Sequence, residues 1–222
     1  MSESLEKSQS TPRVRIKFCG FTRAQDARAA ADCGVDAIGL VMTRKSRRFV
    51  DLAAATQIRA QVPPFVSVVT LFNDDDREWV EAALARVRPD TAQFHGGESL
   101  SFCEQFGVSY IKAVPMASIT DVASYAAGYP SAVGFLLDAH ASGGQGGGGT
   151  TFDWSLATPL DRPLILAGGL HAGNVVEAIR RVRPFAVDLA SGIESAPGIK
   201  DVARMRAFVA AVRSTDEPIE EY

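Results

Sequence analysis

Leu164-Ile165-Leu166-Ala167-Gly168-Gly169-Leu170 and Ala186-Val187-Asp188-Leu189-Ala190-Ser191-Gly192 decide how this chain is read. Each is a short β-forming run that breaks at glycine, and a segment of helical spacing, 172–182, lies between them. The runs are almost continuously apolar instead of alternating, which suits parallel strands covered on their outer side by helices. Toward the N-terminus the same kind of run recurs at 14–19, 37–42, 66–72, 91–95, 110–114 and 132–138. Helical spacing fills 23–33, 75–87, 100–106, 118–127 and 200–212, whereas the sixth crossover offers only 154–158. Eight strand–helix units of roughly 25 residues predict a (β/α)₈ barrel, a TIM barrel slightly below the usual ~250 residues. An open doubly wound sheet is the alternative, but no GxGxxG follows the first strand. The barrel is expected to occupy 13–213 as a single domain, with 1–12 and the acidic 214–222 as disordered tails.

Bulk composition narrows the function classes. With 222 residues, 46% of them apolar, the chain suffices for one sizeable core and is short for two. Net charge is −3 and the basic residues are scattered. The one basic run, Arg44-Lys45-Ser46-Arg47-Arg48, is too short for a nucleic-acid surface but suits a local anion site. No apolar run approaches the ~18–20 residues of a membrane span, and the polar first dozen residues do not read as a secretory signal. Cys19, Cys33 and Cys103 are far apart and form no CxxC, as expected of free thiols in a cytoplasmic protein without a structural metal.

In such a barrel the chemistry sits at the C-terminal ends of the strands, where the loops converge on one mouth. The turns after strands seven and eight, with Gly168, Gly169, Ser191 and Gly192, stand where these barrels bind phosphate through backbone N–H groups. Glycine serves there because a Cβ would hold the backbone off the oxygens. Cys19 ends strand one. It is either a small buried hydrophobe or, if a nearby positive group lowers its pKa, a base or nucleophile. Asp138 ends strand six behind Phe135-Leu136-Leu137. Desolvation there would raise its pKa and favour a general acid; the alternatives are an N-cap or a loop ion pair. A thiol and a carboxyl facing each other across the mouth could remove one proton and deliver another. His95 either binds substrate or is structural; His140 and His171 receive no role. The Gly-rich run 143–149 lacks the Gly-Lys-Ser/Thr of a P-loop and reads as a flap or a tolerated insertion.

These strand-end segments together resemble the phosphoribosylanthranilate isomerase family of tryptophan biosynthesis, from about Arg13 to Phe208. The resemblance rests on Lys17-Phe18-Cys19-Gly20-Phe21-Thr22, Gly34-Val35-Asp36-Ala37-Ile38-Gly39, Ser46-Arg47-Arg48 and Gln93-Phe94-His95-Gly96-Gly97-Glu98. It continues through Leu136-Leu137-Asp138, Thr151-Phe152-Asp153-Trp154, 166–170, 188–194, Pro197-Gly198 and Lys200-Asp201. It implies a cofactor-free and metal-free Amadori rearrangement of a phosphorylated aminoaldose to an aminoketose. Asp138 would protonate the ribose ring oxygen, and Cys19 would remove the C2 proton. Arg48, or its neighbour Arg47, would pair with the anthranilate carboxylate. Asp188 would line the site near the sugar, and the two Gly-bearing turns would hold the phosphate. The implied partner is a small phosphorylated substrate, with no nucleic acid and no membrane, for a monomer or homodimer. Ala190 departs from the family pattern where a Ser is common, which removes one hydroxyl donor to the phosphate.

Two other classes remain as alternatives. A histidine-pathway aminoaldose isomerase would carry a carboxylate where Cys19 stands, and a non-catalytic phosphosugar-binding barrel would not need the Cys19 and Asp138 pair. A lyase or synthase of this barrel type would need a strand-end lysine. Lys17, read as facing away from the neighbours of Cys19, and Lys112 are the only candidates.

Overall fold

The computed structural model describes residues 13–140 and 151–216. The eight expected strands are present as β1 (Arg15–Cys19), β2 (Ala37–Val41), β3 (Ser67–Phe72), β4 (Thr91–Phe94), β5 (Tyr110–Pro115), β6 (Gly134–Asp138), β7 (Leu164–Leu166) and β8 (Ala186–Leu189). They close into a barrel in chain order, every neighbouring pair parallel. At the closure β1 lies against β8, with Lys17 opposite Asp188, and on its other side Cys19 stands opposite Gly39 of β2.

The strands are apolar on both faces because both are buried. Outward, Ile16, Phe18, Ile38, Leu40, Val68 and Phe72 belong to the core shared with the helices. A second, smaller apolar cluster of Ala113, Leu136, Ile165, Ala167 and Ala186 is formed by residues of the opposite strand parity, which fill the bore. Residues two apart on a strand share a face. Lys17 therefore faces inward with Cys19, contrary to the sequence reading of it, and its Nζ reaches Asp188 Oδ1 at 2.7 Å.

Around the barrel lie α1 (Ala24–Asp32), α2 (Leu52–Arg59), α3 (Arg77–Val87), α4 (Leu100–Glu104), α5 (Val122–Ala127), α6 (Val175–Val182) and α7 (Val202–Arg213). Asp51, Asp76, Ser99, Asp121 and Asp201 cap α2, α3, α4, α5 and α7, each accepting the N–H three residues on. The helix α2 was not anticipated: it is alanine-rich and buries only Ala55 and Ile58, so its periodicity is faint. The sixth crossover carries only a 3-10 turn, Trp154–Leu156. Lys200, expected to open the last helix, lies instead in a small antiparallel hairpin of β9 (Glu194–Ala196) and β10 (Ile199–Lys200). Pro197-Gly198 turns it, with Gly198 at φ +80, a backbone state in which glycine avoids Cβ strain.

Ser214 to Asp216, expected to begin a disordered tail, extend α7 through turn hydrogen bonds to Ala210, Val212 and Arg213. The remainder of both expected tails, and the 143–149 run, lie outside the described residues. Among the described residues no helix is long and apolar enough to cross a membrane.

Candidate active site

Cys19, Arg48, His95, Asp138, Asp188 and Ala190 line one cavity at the C-terminal mouth of the barrel, with Thr43, Ser46, Asn73 and Gln93 completing its polar wall. Cys19 and Asp138 are the final residues of β1 and β6, so the barrel's own geometry sets them facing the same space. His95 follows β4, its N–H bonded to the Phe72 carbonyl at 2.8 Å. Arg47 is exposed and does not line the cavity, whereas Arg48 does. The strand lysines are both engaged elsewhere. Lys17 pairs with Asp188, and Lys112 with Glu98 at 3.0 Å; neither lines the cavity.

Charge in the cavity departs from the sequence reading at both reacting residues. Burial pushes the Cys19 thiol above its ordinary value; Lys17 pulls it back only in part, and Asp188 adds to the rise. The downward shift invoked for a ready thiolate is therefore absent, because desolvation outweighs the lysine. Asp138 shifts the other way. Burial alone would raise it, but the imidazoles of His140 and His95 hold its carboxyl well below the usual range. Both histidine nitrogens lie 3.4 Å from Asp138 Oδ2. That is too long and misaligned for a full hydrogen bond, so His95 Nε2 and both nitrogens of His140 have no hydrogen-bond partner among the described residues. The contact is electrostatic. Burial lowers the pKa of His95 itself, against the pull of Asp138.

His140 was given no role from sequence, yet it is buried and stacks on His95 with ring centroids 4.2 Å apart. Sequence spacing holds no signal for that contact, which arises because β4 and β6, on either side of β5, both end at the mouth. His171, by contrast, bonds within its own turn.

Arg48 is held by Glu194 in a two-pronged ion pair, Nε to Oε1 at 2.8 Å and Nη2 to Oε2 at 2.7 Å. Gly20 makes room for it, since a Cβ there would collide with Arg48 Cδ. Glu194 also accepts from Lys200 Nζ at 2.8 Å and from the Gly198 N–H at 3.1 Å. Lys200 in turn donates to the Cys19 carbonyl. Arg48, Glu194 and Lys200 thus form one buried network that fastens the hairpin to the end of β1, and with Arg48 and Lys200 on it, Glu194 is held below its ordinary value despite burial. The pairing uses two of the five N–H donors of the guanidinium, leaving the others for a ligand.

Of the two Gly-bearing turns, Ala190 lines this cavity, whereas Gly168, Gly169, Ser191 and Gly192 lie beside it. Gly168 has φ +83, and a Cβ there would sit 2.8 Å from the Ala139 nitrogen and 3.1 Å from Asp138 Oδ1. Gly192 abuts the Leu170 carbonyl, so the turns after β7 and β8 touch each other. Ser191 begins the 3-10 turn Ser191–Ile193.

Known proteins resemble this chain over nearly its whole length. A profile of the N-(5'phosphoribosyl)anthranilate (PRA) isomerase family matches residues 16–211. N-(5'-phosphoribosyl)anthranilate isomerase of Stenotrophomonas maltophilia is 49% identical over 212 residues, covering 94% of this chain and 97% of that protein. The crystal structure of phosphoribosyl anthranilate isomerase from Thermotoga maritima superposes with a TM-score of 0.82 at 37% identity, over 90% of this chain and 99% of that one. A second crystal structure of such an isomerase, in complex with reduced 1-(o-carboxyphenylamino)-1-deoxyribulose 5-phosphate, gives 0.79 at 35% identity, over 90% and 99% of the two chains. With the barrel, the family profile and these relatives in agreement over nearly its whole length, the chain belongs to the N-(5'-phosphoribosyl)anthranilate isomerase family.

Proposed function

We propose that this chain converts N-(5-phosphoribosyl)anthranilate into 1-(2-carboxyphenylamino)-1-deoxyribulose 5-phosphate, in tryptophan biosynthesis, using only its own side chains. The observation that carries the reading is the pairing of Cys19 and Asp138 on one cavity wall in a chain of this family. Asp138 donates a proton to the ribose ring oxygen; the C1–O bond breaks and the anthranilate nitrogen's lone pair forms the Schiff base. Cys19 then takes the C2 proton, its C–H electrons moving toward the nitrogen to give an enolamine, which tautomerises to the ketone. His95 and Asp188 line the sugar site, and Arg48 binds the anthranilate carboxylate with the donors that Glu194 leaves free.

The turns at Gly168-Gly169 and Ser191-Gly192 hold the phosphate, mainly through backbone N–H groups because Ala190 supplies no hydroxyl. They are the deep end of a longer site than the unliganded cavity outlines. No cofactor takes part, and the protein works in the cytoplasm as a monomer or homodimer.

A raised thiol and a lowered carboxyl mean that the reaction uses the minor ionisation form, with the proton on Asp138 and the negative charge on Cys19. That form differs from the resting one by a single proton moved between them, so its share does not change with pH between the two pKa values. Lys17 beside Cys19 offsets the thiolate charge.

The test is turnover by the purified chain in the presence of a chelator, followed as loss of anthranilate-type fluorescence, with a histidine-pathway aminoaldose as comparison substrate. Arg48→Ala is expected to raise KM for phosphoribosylanthranilate at least tenfold, the loss of a charged hydrogen bond of about 1.5–3 kcal/mol. Preference for the histidine-pathway aminoaldose would overturn the substrate assignment, and an unchanged KM would move the carboxylate contact away from Arg48.

A further inference from the structure

We propose that His95, Asp138 and His140 form a binding site for one first-row transition-metal ion, zinc foremost, and that such an ion closes the cavity to substrate. The three residues offer two imidazole nitrogens and a carboxylate oxygen, all within 4.8 Å of one another. His95 Nε2 and His140 Nδ1 each lie 3.4 Å from Asp138 Oδ2. Bonds of 2.0–2.1 Å to a tetrahedral zinc ion place its ligand atoms about 3.3 Å apart, so the two separations to the carboxylate match two edges of such a site.

Burial adds a second, independent reason. His95, Asp138 and His140 are 6%, 7% and 9% exposed, and the histidine nitrogens facing the carboxylate have no hydrogen-bond partner among the described residues. Buried polar atoms are rarely left so, and a metal ion satisfies all of them at once. The rings now stack 21° from parallel. An ion lies in the plane of each imidazole it binds, so the rings splay about their Cβ–Cγ bonds as it enters.

Gln93 supplies the support that a metal-bound histidine requires. Its amide nitrogen lies 3.0 Å from His95 Nδ1, while its Oε1 has no partner among the described residues. Turning the amide over puts Oε1 on a protonated Nδ1 and leaves the Nε2 lone pair for the ion, the usual arrangement behind a ligating histidine. Two imidazoles and one carboxylate favour zinc, cobalt or nickel over magnesium or calcium. The fourth position opens on the cavity that Cys19 also lines. An ion there occupies Asp138, the group that the proposed reaction needs free; only this inhibitory consequence rests on the proposed function.

The site is tested on the purified chain, stripped of metal, by titration with cobalt(II), whose visible absorption reports four-coordination. One equivalent is expected to bind with that spectrum and to be displaced by zinc, with millimolar magnesium without effect. His140→Ala and His140→Gln, each checked for native circular dichroism, are expected to bind at least tenfold more weakly. In the isomerase assay zinc is expected to inhibit competitively and reversibly by chelator. No cobalt spectrum in the unmodified chain, or equal affinity in the unmodified chain and a folded His140 variant, would overturn the site. Binding without any isomerase turnover would leave the site standing and reject the proposed function instead.

Discussion

Asp138→Asn is expected to lower kcat by about 10³-fold, within the range by which a positioned general acid speeds proton transfer, with little change in KM. The amide fills the same volume at the end of β6 and faces the same two imidazoles, but it has no proton to give to a ring oxygen. Cys19→Ala is expected to lose a comparable factor, because the described cavity wall has no second thiol to take the C2 proton. Steady-state kinetics on both variants, each checked for a native melting curve, decide the matter. Robust turnover by both would remove Cys19 and Asp138 from the chemistry while leaving the family membership untouched.

The second large effect concerns stability. Glu194→Gln keeps the shape of the side chain but leaves the Arg48 and Lys200 cations facing no anion. The Arg48 side chain is 13% exposed and that of Lys200 is fully buried. Removing one partner from a buried ion pair costs about 3–5 kcal/mol, largely through the charge left uncompensated. For a chain of this size that corresponds to a fall in Tm of roughly 10 °C. The penalty carries a pH signature. Glu194 has a lowered pKa in the folded state, so its contribution is present above the unfolded carboxylate value of about 4.3 and is lost as pH falls through the folded value. Denaturant unfolding should therefore show the two proteins far apart at pH 7 and converging in acid. Equal stability at pH 7 would mean that the network does not hold the hairpin to β1.

Much of the fold was legible because each strand is buried on both sides and so reads as an unbroken apolar run ending near a polar residue or glycine. The first six strands each differ from their expected bounds by a residue or two at one end. What escaped was what periodicity does not encode. Helix α2 is alanine-rich and buries little, and the β9–β10 hairpin depends on a turn at Pro197-Gly198 with no strand periodicity around it.

At the site, strand ends pointed to Cys19, His95, Asp138 and Asp188, which do line one cavity, since barrel topology brings strand ends together whatever their spacing in the chain. The protonation states were misread because they depend on neighbours met only through space. An apolar lead-in suggested a raised Asp138, but His140 and His95 reverse the sign. Arg48 and Glu194 are separated by 146 residues, and no local pattern announces that pair. The glycine turns were placed after the right strands, and of their residues Ala190 lines the cavity.

The central claim is that a proton, abstracted from C2 by a protein group, links aldose to ketose. Isomerisation run to partial conversion in D₂O and analysed by mass spectrometry tests it most directly. Proton abstraction by a thiol that exchanges with solvent predicts deuterium at C1 of the ketose product. Product carrying only protium at C1, the outcome of a hydride shift from C2, would contradict it.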